Sequence, residues 1–144
     1  METTGLADPA PIAQTFFATP ELQDALRLDA ILCVVDAKHV QMHLDDKKDE
    51  GTTNEAVEQI AFADKILLNK IDLVTAAEKS AVRQRIKGIN AACEIIETQQ
   101  SRVSLDKLLG LDVFNLKRVL EMMPSLLSGA VSPKPSPLNP KPSR

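Results

Sequence analysis

Three short apolar runs, separated by helix-length stretches, constrain this chain more than any other feature. They read AILCVV over residues 30–35, KILLN over residues 65–69 and CEIIE over residues 93–97. Their length and their β-branched side chains mark them as strands. The first is apolar until Asp36, which predicts a strand covered on both faces. The intervening segments are too long for hairpin turns and suit helical crossovers, so the strands should run parallel. The fold class expected is α/β, a layered domain with a mainly parallel sheet and helices on its faces.

Local signals place the helices. Asp8-Pro9 and Thr19-Pro20 each set a capping residue before a proline at the first helical position. A helix over the first should bury Ile12, Phe16 and Phe17. Residues 54–63 carry Val57, Ile60 and Ala61 at helical spacing. Thr75 and Glu78 form a T-x-x-E capping box, in which hydroxyl and carboxylate satisfy backbone donors reciprocally. The helix that follows should turn Val82, Ile86 and Ile89 inward and Lys79, Arg83 and Lys87 outward. Ser104 and Asn115 read as caps for two final helices. Residues 45–53 are charged, contain glycine and lack apolar residues, so an exposed loop is expected there.

Composition narrows the function. A chain of 144 residues is one domain's length. Lys and Arg number 17 and Asp and Glu 20, a net charge of 17 − 20 = −3. That balance disfavours non-specific nucleic-acid binding, and with no Trp or Tyr base-stacking platforms are not expected either. Two cysteines, Cys33 and Cys93, make neither a disulfide framework nor a four-cysteine zinc site. Both lie in apolar runs and read as small buried hydrophobes. No apolar run reaches membrane-span length, so no membrane partner is expected. No secretory signal is visible. Cytoplasm is the default compartment, with an organelle the alternative if a presequence precedes Met1. Residues 131–144 hold five of the nine prolines, three basic residues and no acid. They should form an extended, disordered tail after a body of residues 1–130.

The sharpest chemical signal is Asn69-Lys70-Ile71-Asp72, directly after the KILL run. Guanine presents two parallel N–H donors, and one carboxylate such as Asp72 can accept both. Adenine lacks that pair, and an unpaired buried acceptor costs about 1–3 kcal/mol, roughly tenfold to a hundredfold in affinity. The Asn69 amide can serve the base edge and brace neighbouring loops, and the Lys70 stem can lie along the base plane. The carboxyl end of a strand is also where nucleotides bind in open α/β sheets.

With Glu2-Thr3-Thr4-Gly5, CVVDAK over residues 33–38 and QIAFADKILLNKIDL over residues 59–73, the chain resembles the CobW-like GTPases, P-loop metallochaperones. N-K-x-D is similar to the guanine motif of P-loop GTPases. E-T-T-G is similar to this family's E-[ST]-x-G, which replaces the D-x-x-G of other GTPases. The resemblance runs from about Glu2 to Met123. It implies a P-loop NTPase-type domain from the Walker B strand onward, with GTP or GDP and Mg²⁺ as cofactors. It also implies hydrolysis coupled to delivery of zinc or cobalt to a metalloprotein client. Glu2 would serve the Mg²⁺ site through water, and Gly5 would approach the γ-phosphate. Thr98, Gln99 and Ser101, in the TQQS stretch after the third run, fall where such domains place a further guanine-contacting loop.

The departures carry weight. None of the five glycines is followed by Lys-Ser or Lys-Thr, so the G-x-x-x-x-G-K-[ST] phosphate loop of the family has no counterpart here. The C-x-C-C metal motif has none either. The expectation is an N-terminally truncated GTPase domain with an exposed sheet edge. It should read guanine yet show negligible GTP hydrolysis alone, because nothing holds the phosphates in line with a water. The alternative is a non-catalytic interaction module that pairs with a full-length relative or client. His39 and His43, four apart and followed by acids, read as exposed side chains, with a weak zinc site as the sharper alternative.

Overall fold

The computed structural model describes residues 1–48 and 54–114. Three parallel strands form the sheet: β1 (Leu32–Asp36), β2 (Lys65–Asn69) and β3 (Glu94–Glu97). Their spatial order is β1-β2-β3, with Leu32 opposite Lys65 and Lys65 opposite Glu94. Helices α1 (Pro9–Ala18) and α2 (Pro20–Ala25) precede the sheet. Helices α3 (Val40–Asp45) and α4 (Glu55–Phe62) form the first crossover, and α5 (Ala76–Ile89) forms the second.

The local signals act where they stand. Asp8 caps α1 by accepting the Ala10 N–H, and Asn54 caps α4 by accepting from Ala56 and Val57. The Thr75 hydroxyl accepts the Glu78 N–H at 3.2 Å while Glu78 accepts the Thr75 N–H at 2.7 Å. Val82 and Ile86 turn inward, and Ile89 packs against them from the rim. The core lies on one face of the sheet. There Val35, Ile66 and Leu68 meet Val40 of α3, Ile60 of α4 and Val82 and Ile86 of α5.

Several expectations need correction. β1 is not covered on both faces, since Val34 is 60% exposed and Leu32 37% exposed. An apolar run records what a strand can tolerate, not whether a neighbour is there. Among the described residues β1 is an edge strand paired with β2 alone. Among the described side chains of α1 the buried ones are Ala10 and Ala13, whereas Ile12 and Phe16 are half-buried. Ala10 meets Phe62, with Phe114 packed alongside, and small side chains let the helix approach closely. Ser104 opens only a three-residue 3-10 turn, Leu105–Lys107. Residues 45–48 are exposed as expected, and Asp45 ends α3 and pairs with Arg85. Residues 49–53, Asn115, the proline-rich tail and the Phe17 side chain lie outside the described residues.

Carboxylates hold several of these pieces together. Asp29, just before β1, accepts the backbone N–H groups of Leu111 at 3.1 Å and Asp112 at 2.6 Å. The Asp112 and Leu111 N–H groups hold its pKa below the usual value. Glu97 is likewise lowered, chiefly by the hydrogen bond from Lys79, and Glu78 by the Thr75 N–H. A carboxylate whose pKa is depressed in the fold contributes stability above its unfolded pKa and loses it as pH falls through the folded one. Thermal unfolding midpoints should therefore hold steady near neutrality and drop once pH falls below about 4. A midpoint that stays level on acidification to about pH 2 would remove these contacts from the stability account.

Candidate functional site

The three strands end side by side, and each hands its last residues to the same cluster. Asp36 closes β1, Asn69 closes β2 and is followed by Lys70, and Thr98 follows β3. Parallel pairing brings this about, because Asp36 stands opposite Asn69 in the register and the Thr98 N–H donates to Leu68.

Asn69 clasps the loop after β3. Its Oδ1 accepts the Ser101 N–H at 2.9 Å and the Thr98 hydroxyl at 3.1 Å. Its Nδ2 donates to the Ser101 hydroxyl at 3.0 Å. Thr98 is buried, while Gln99, Gln100 and Ser101 are exposed. The loop is bent unusually: Gln100 and Ser101 both adopt left-handed backbone, with φ of 51° and 53°. Lys70, across the clasp, does the same at φ 61°. Side chains with a Cβ rarely adopt that region. Three such residues thus stand together at one end of the sheet.

Asp72 sits in a 3-10 turn, Ile71–Leu73, directly beyond Lys70. It is exposed, and among the described residues its carboxylate accepts no hydrogen bond. Asp36 is the most heavily engaged acid of the cluster. Burial acts to raise its pKa, but donors from His39, Lys70 and Lys38 outweigh burial and hold it well below the usual carboxylate range. The Lys70 Nζ lies 2.7 Å from its Oδ2.

The E-T-T-G segment lies across α4. The Gln59 side-chain amide donates to the Ala7 carbonyl at 2.8 Å and the Thr4 carbonyl at 3.3 Å. Glu2 and Gly5 are both exposed, and a Cβ added at Gly5 would meet nothing within 4 Å. A groove of about 340 Å³ opens beside the segment, with Gly5, Leu6, Val34, Asp36, His43 and Gln59 among its lining.

The two histidines stand at opposite ends of α3. His39 precedes α3 without a side-chain capping bond and places Nδ1 3.0 Å from Asp36, while His43 lies in the last turn of that helix. Among the described residues no group of three or more His, Cys, Asp or Glu side chains is placed to hold a metal. The Cys33 thiol is pushed up to about 11 by burial and, less, by Cys93, so it stays a neutral thiol. Asp36 and Gln59 were not singled out by the sequence as site residues. Asp36 had one available signal, its position after an apolar run, matching that of Asn69. Gln59 had none, because its role depends on where the first eight residues lie.

Residues 1–97 match the family described as CobW/HypB/UreG, nucleotide-binding domain. The chain is 40% identical over 115 residues to zinc-regulated GTPase metalloprotein activator 1 of Schizosaccharomyces pombe, covering 79% of this chain and 27% of that protein. It is 35% identical over 117 residues to the zinc chaperone YjiA of Escherichia coli K12, covering 81% and 34% respectively. The crystal structure of Zn(II)-bound YjiA GTPase from E. coli superposes with a TM-score of 0.64 at 32% identity, over 78% of this chain and 33% of that one. The chain thus spans about a third of the length of these relatives or less.

Proposed function

Since this chain belongs to the CobW/HypB/UreG family of nucleotide-binding domains, we propose that it supplies the guanine-reading side of a GTPase fold serving metal delivery. One observation carries the reading. The Asn69 amide oxygen is taken up by two donors of the loop after β3, which leaves the exposed Asp72 carboxylate as the acceptor presented at the strands' carboxyl ends. In this reading Asp72 accepts the paired N–H donors of guanine and Lys70 lays its stem along the base. The Thr98–Ser101 loop closes the far side, with Gln99 exposed upon it.

The phosphate side is thinner. Mg²⁺ is commonly held by one or two carboxylates together with phosphate oxygens and water, and the exposed Glu2 fits such an outer position. When bound, Mg²⁺ would offset the charge of the phosphates. Gly5 leaves room for the phosphate end to approach. The 144 residues hold no Gly-Lys-Ser or Gly-Lys-Thr sequence, so in this proposal the chain alone binds guanine nucleotide without turning it over. Zinc or cobalt would be cargo for a metalloprotein client. His39 and His43 could offer such a metal one nitrogen each, and His39 could do so through Nε2 while its Nδ1 stays against Asp36.

A second reading is favoured by one observation, the exposed β1 edge with Leu32, Val34 and Leu6 in the open. The chain would then act as a non-catalytic module that pairs with a full-length relative or client along that edge. Calorimetric titration of GDP, GTP and ATP with Mg²⁺ separates the two. Guanine nucleotides should bind in preference to ATP, and Asp72→Ala should weaken GDP by roughly tenfold to a hundredfold while leaving ATP unchanged. No binding of any nucleotide would remove the guanine reading and leave the module.

A further inference from the structure

Asp36 has no role in the reading above, yet its carboxylate serves four donors. Oδ1 accepts the backbone N–H groups of Lys38 at 2.8 Å and His39 at 3.2 Å. Oδ2 lies 2.7 Å from Lys70 Nζ and 3.0 Å from His39 Nδ1. The two oxygens therefore do separate things. Oδ1 shapes the turn that leaves β1, whereas Oδ2 reaches across to the neighbouring strand's end and fixes a lysine.

That lysine is one of the three residues of the cluster with left-handed backbone, at φ 61° and ψ 34°. A residue held in this region persists only where its surroundings over-determine it, and such residues gather at ligand clamps. Lysine also has a long, rotamer-rich side chain that loses considerable freedom when pinned. A side chain ordered beforehand does not charge that loss against binding. We infer that Asp36 is a positioning residue for nucleotide binding: its Oδ2 anchors the Lys70 ammonium, so that the Lys70 stem stands ready as a wall for the flat face of the base. The inference rests on the guanine reading given above.

The two acids of the site then divide the work. Asp72 addresses the edge of the base and sets the preference for guanine. Asp36 acts through Lys70 on the face, which every purine has. Loss of Asp36 should lower affinity for GDP and ADP alike and leave their ratio unchanged. A general loosening of the turn would erode both affinity and preference.

Asp36→Asn keeps an Oδ1 acceptor for the turn and removes the charge. Lys70→Met keeps the stem, removes the ammonium and leaves Asp36 and its turn untouched. GDP and ADP are titrated into the full chain as wild type, each variant and the double variant. Side-chain ¹³C relaxation of Lys70 is measured without nucleotide in the wild type and Asp36→Asn. The ion pair is partly open to solvent, 48% at Lys70 and 28% at Asp36, so a modest effect is expected, about fivefold weaker GDP binding for either single variant. The double variant should be no weaker than Lys70→Met, and the Lys70 side chain should pass from ordered to mobile in Asp36→Asn. A Lys70 side chain already mobile in the wild type overturns the inference. So does an unchanged GDP affinity in both single variants, or an Asp36→Asn effect that persists beside Lys70→Met. If the wild type binds no GDP, or Asp72→Ala keeps its guanine preference, the base-reading proposal falls instead. The relaxation data then still decide whether Asp36 holds Lys70.

Discussion

Replacing Asn90 with alanine will destabilise the fold by about 3–5 kcal/mol. Asn90 is 8% exposed and follows α5. Its Nδ2 reaches the carbonyls of Ile60 at 3.0 Å, Ala61 at 3.1 Å and Ala63 at 2.9 Å. These lie at the end of α4, where carbonyls run short of helical partners, although that of Ile60 also accepts the Ala63 N–H at 3.3 Å. Its Oδ1 accepts the Cys93 N–H at 3.1 Å, just before β3. One side chain thus ties the end of α4, the end of α5 and the entry to β3. Alanine would remove these four hydrogen bonds from a largely buried setting, each worth about 1 kcal/mol. Asn90→Asp would fare no better, since it sets a negative charge against three carbonyl oxygens. Urea unfolding of the wild type and both variants measures the loss directly. A change below about 1 kcal/mol would mean that water replaces these bonds at little cost.

Asn69→Ala should be equally severe for the site and mild for the core. The amide makes three bonds to the Thr98–Ser101 loop, and at about 1 kcal/mol each their loss is worth roughly a hundredfold. Gln100 and Ser101 would then be free to leave their left-handed backbone, which an L residue holds only against a cost of roughly 1–2 kcal/mol. Amide hydrogen exchange over residues 98–103 should accelerate by about that hundredfold, with exchange at Ile66 and Leu68 unchanged. GDP affinity, on the reading proposed here, should fall by a similar factor. Asn69→Asp keeps both acceptor contacts and loses the donor, so it should lie between. Unaltered exchange in Asn69→Ala would show that the loop holds its shape unaided.

What was legible in the sequence was what short segments decide for themselves. KILLN became β2 with the expected bounds, because its apolar run stops abruptly at a charged turn. Thr75 and Glu78 formed their reciprocal cap because both partners lie within one turn of the same helix. The parallel sheet followed from strands spaced by helix-length segments. Arrangements that depend on strand order were not legible. The clasp of Asn69 on Ser101 joins residues 32 positions apart, and the Asp36–Lys70 pair joins residues 34 apart. No local pattern distinguishes Asp36 as a tether from an acid that merely ends a strand. Burial failed for the same reason at Val34, where the sequence shows an apolar residue and only the sheet shows which side lacks a neighbour.

The register of the sheet also governs the order in which this chain can fold. Leu32 finds its partner only at Lys65, and Lys65 finds its second only at Glu94. Among the described residues no strand pairs with its neighbour through a tight turn, so each pairing must first close a long loop and order a helix across it. Chains dominated by such distant pairings fold slowly for their size. During synthesis the β1–β2 pairing must wait until the whole of α4 and β2 has emerged. The KILLN segment is the keystone in that sequence of events. Among the described residues it alone touches two other strands, so mutations there should slow folding, while equal losses at β3 should act mainly by hastening unfolding.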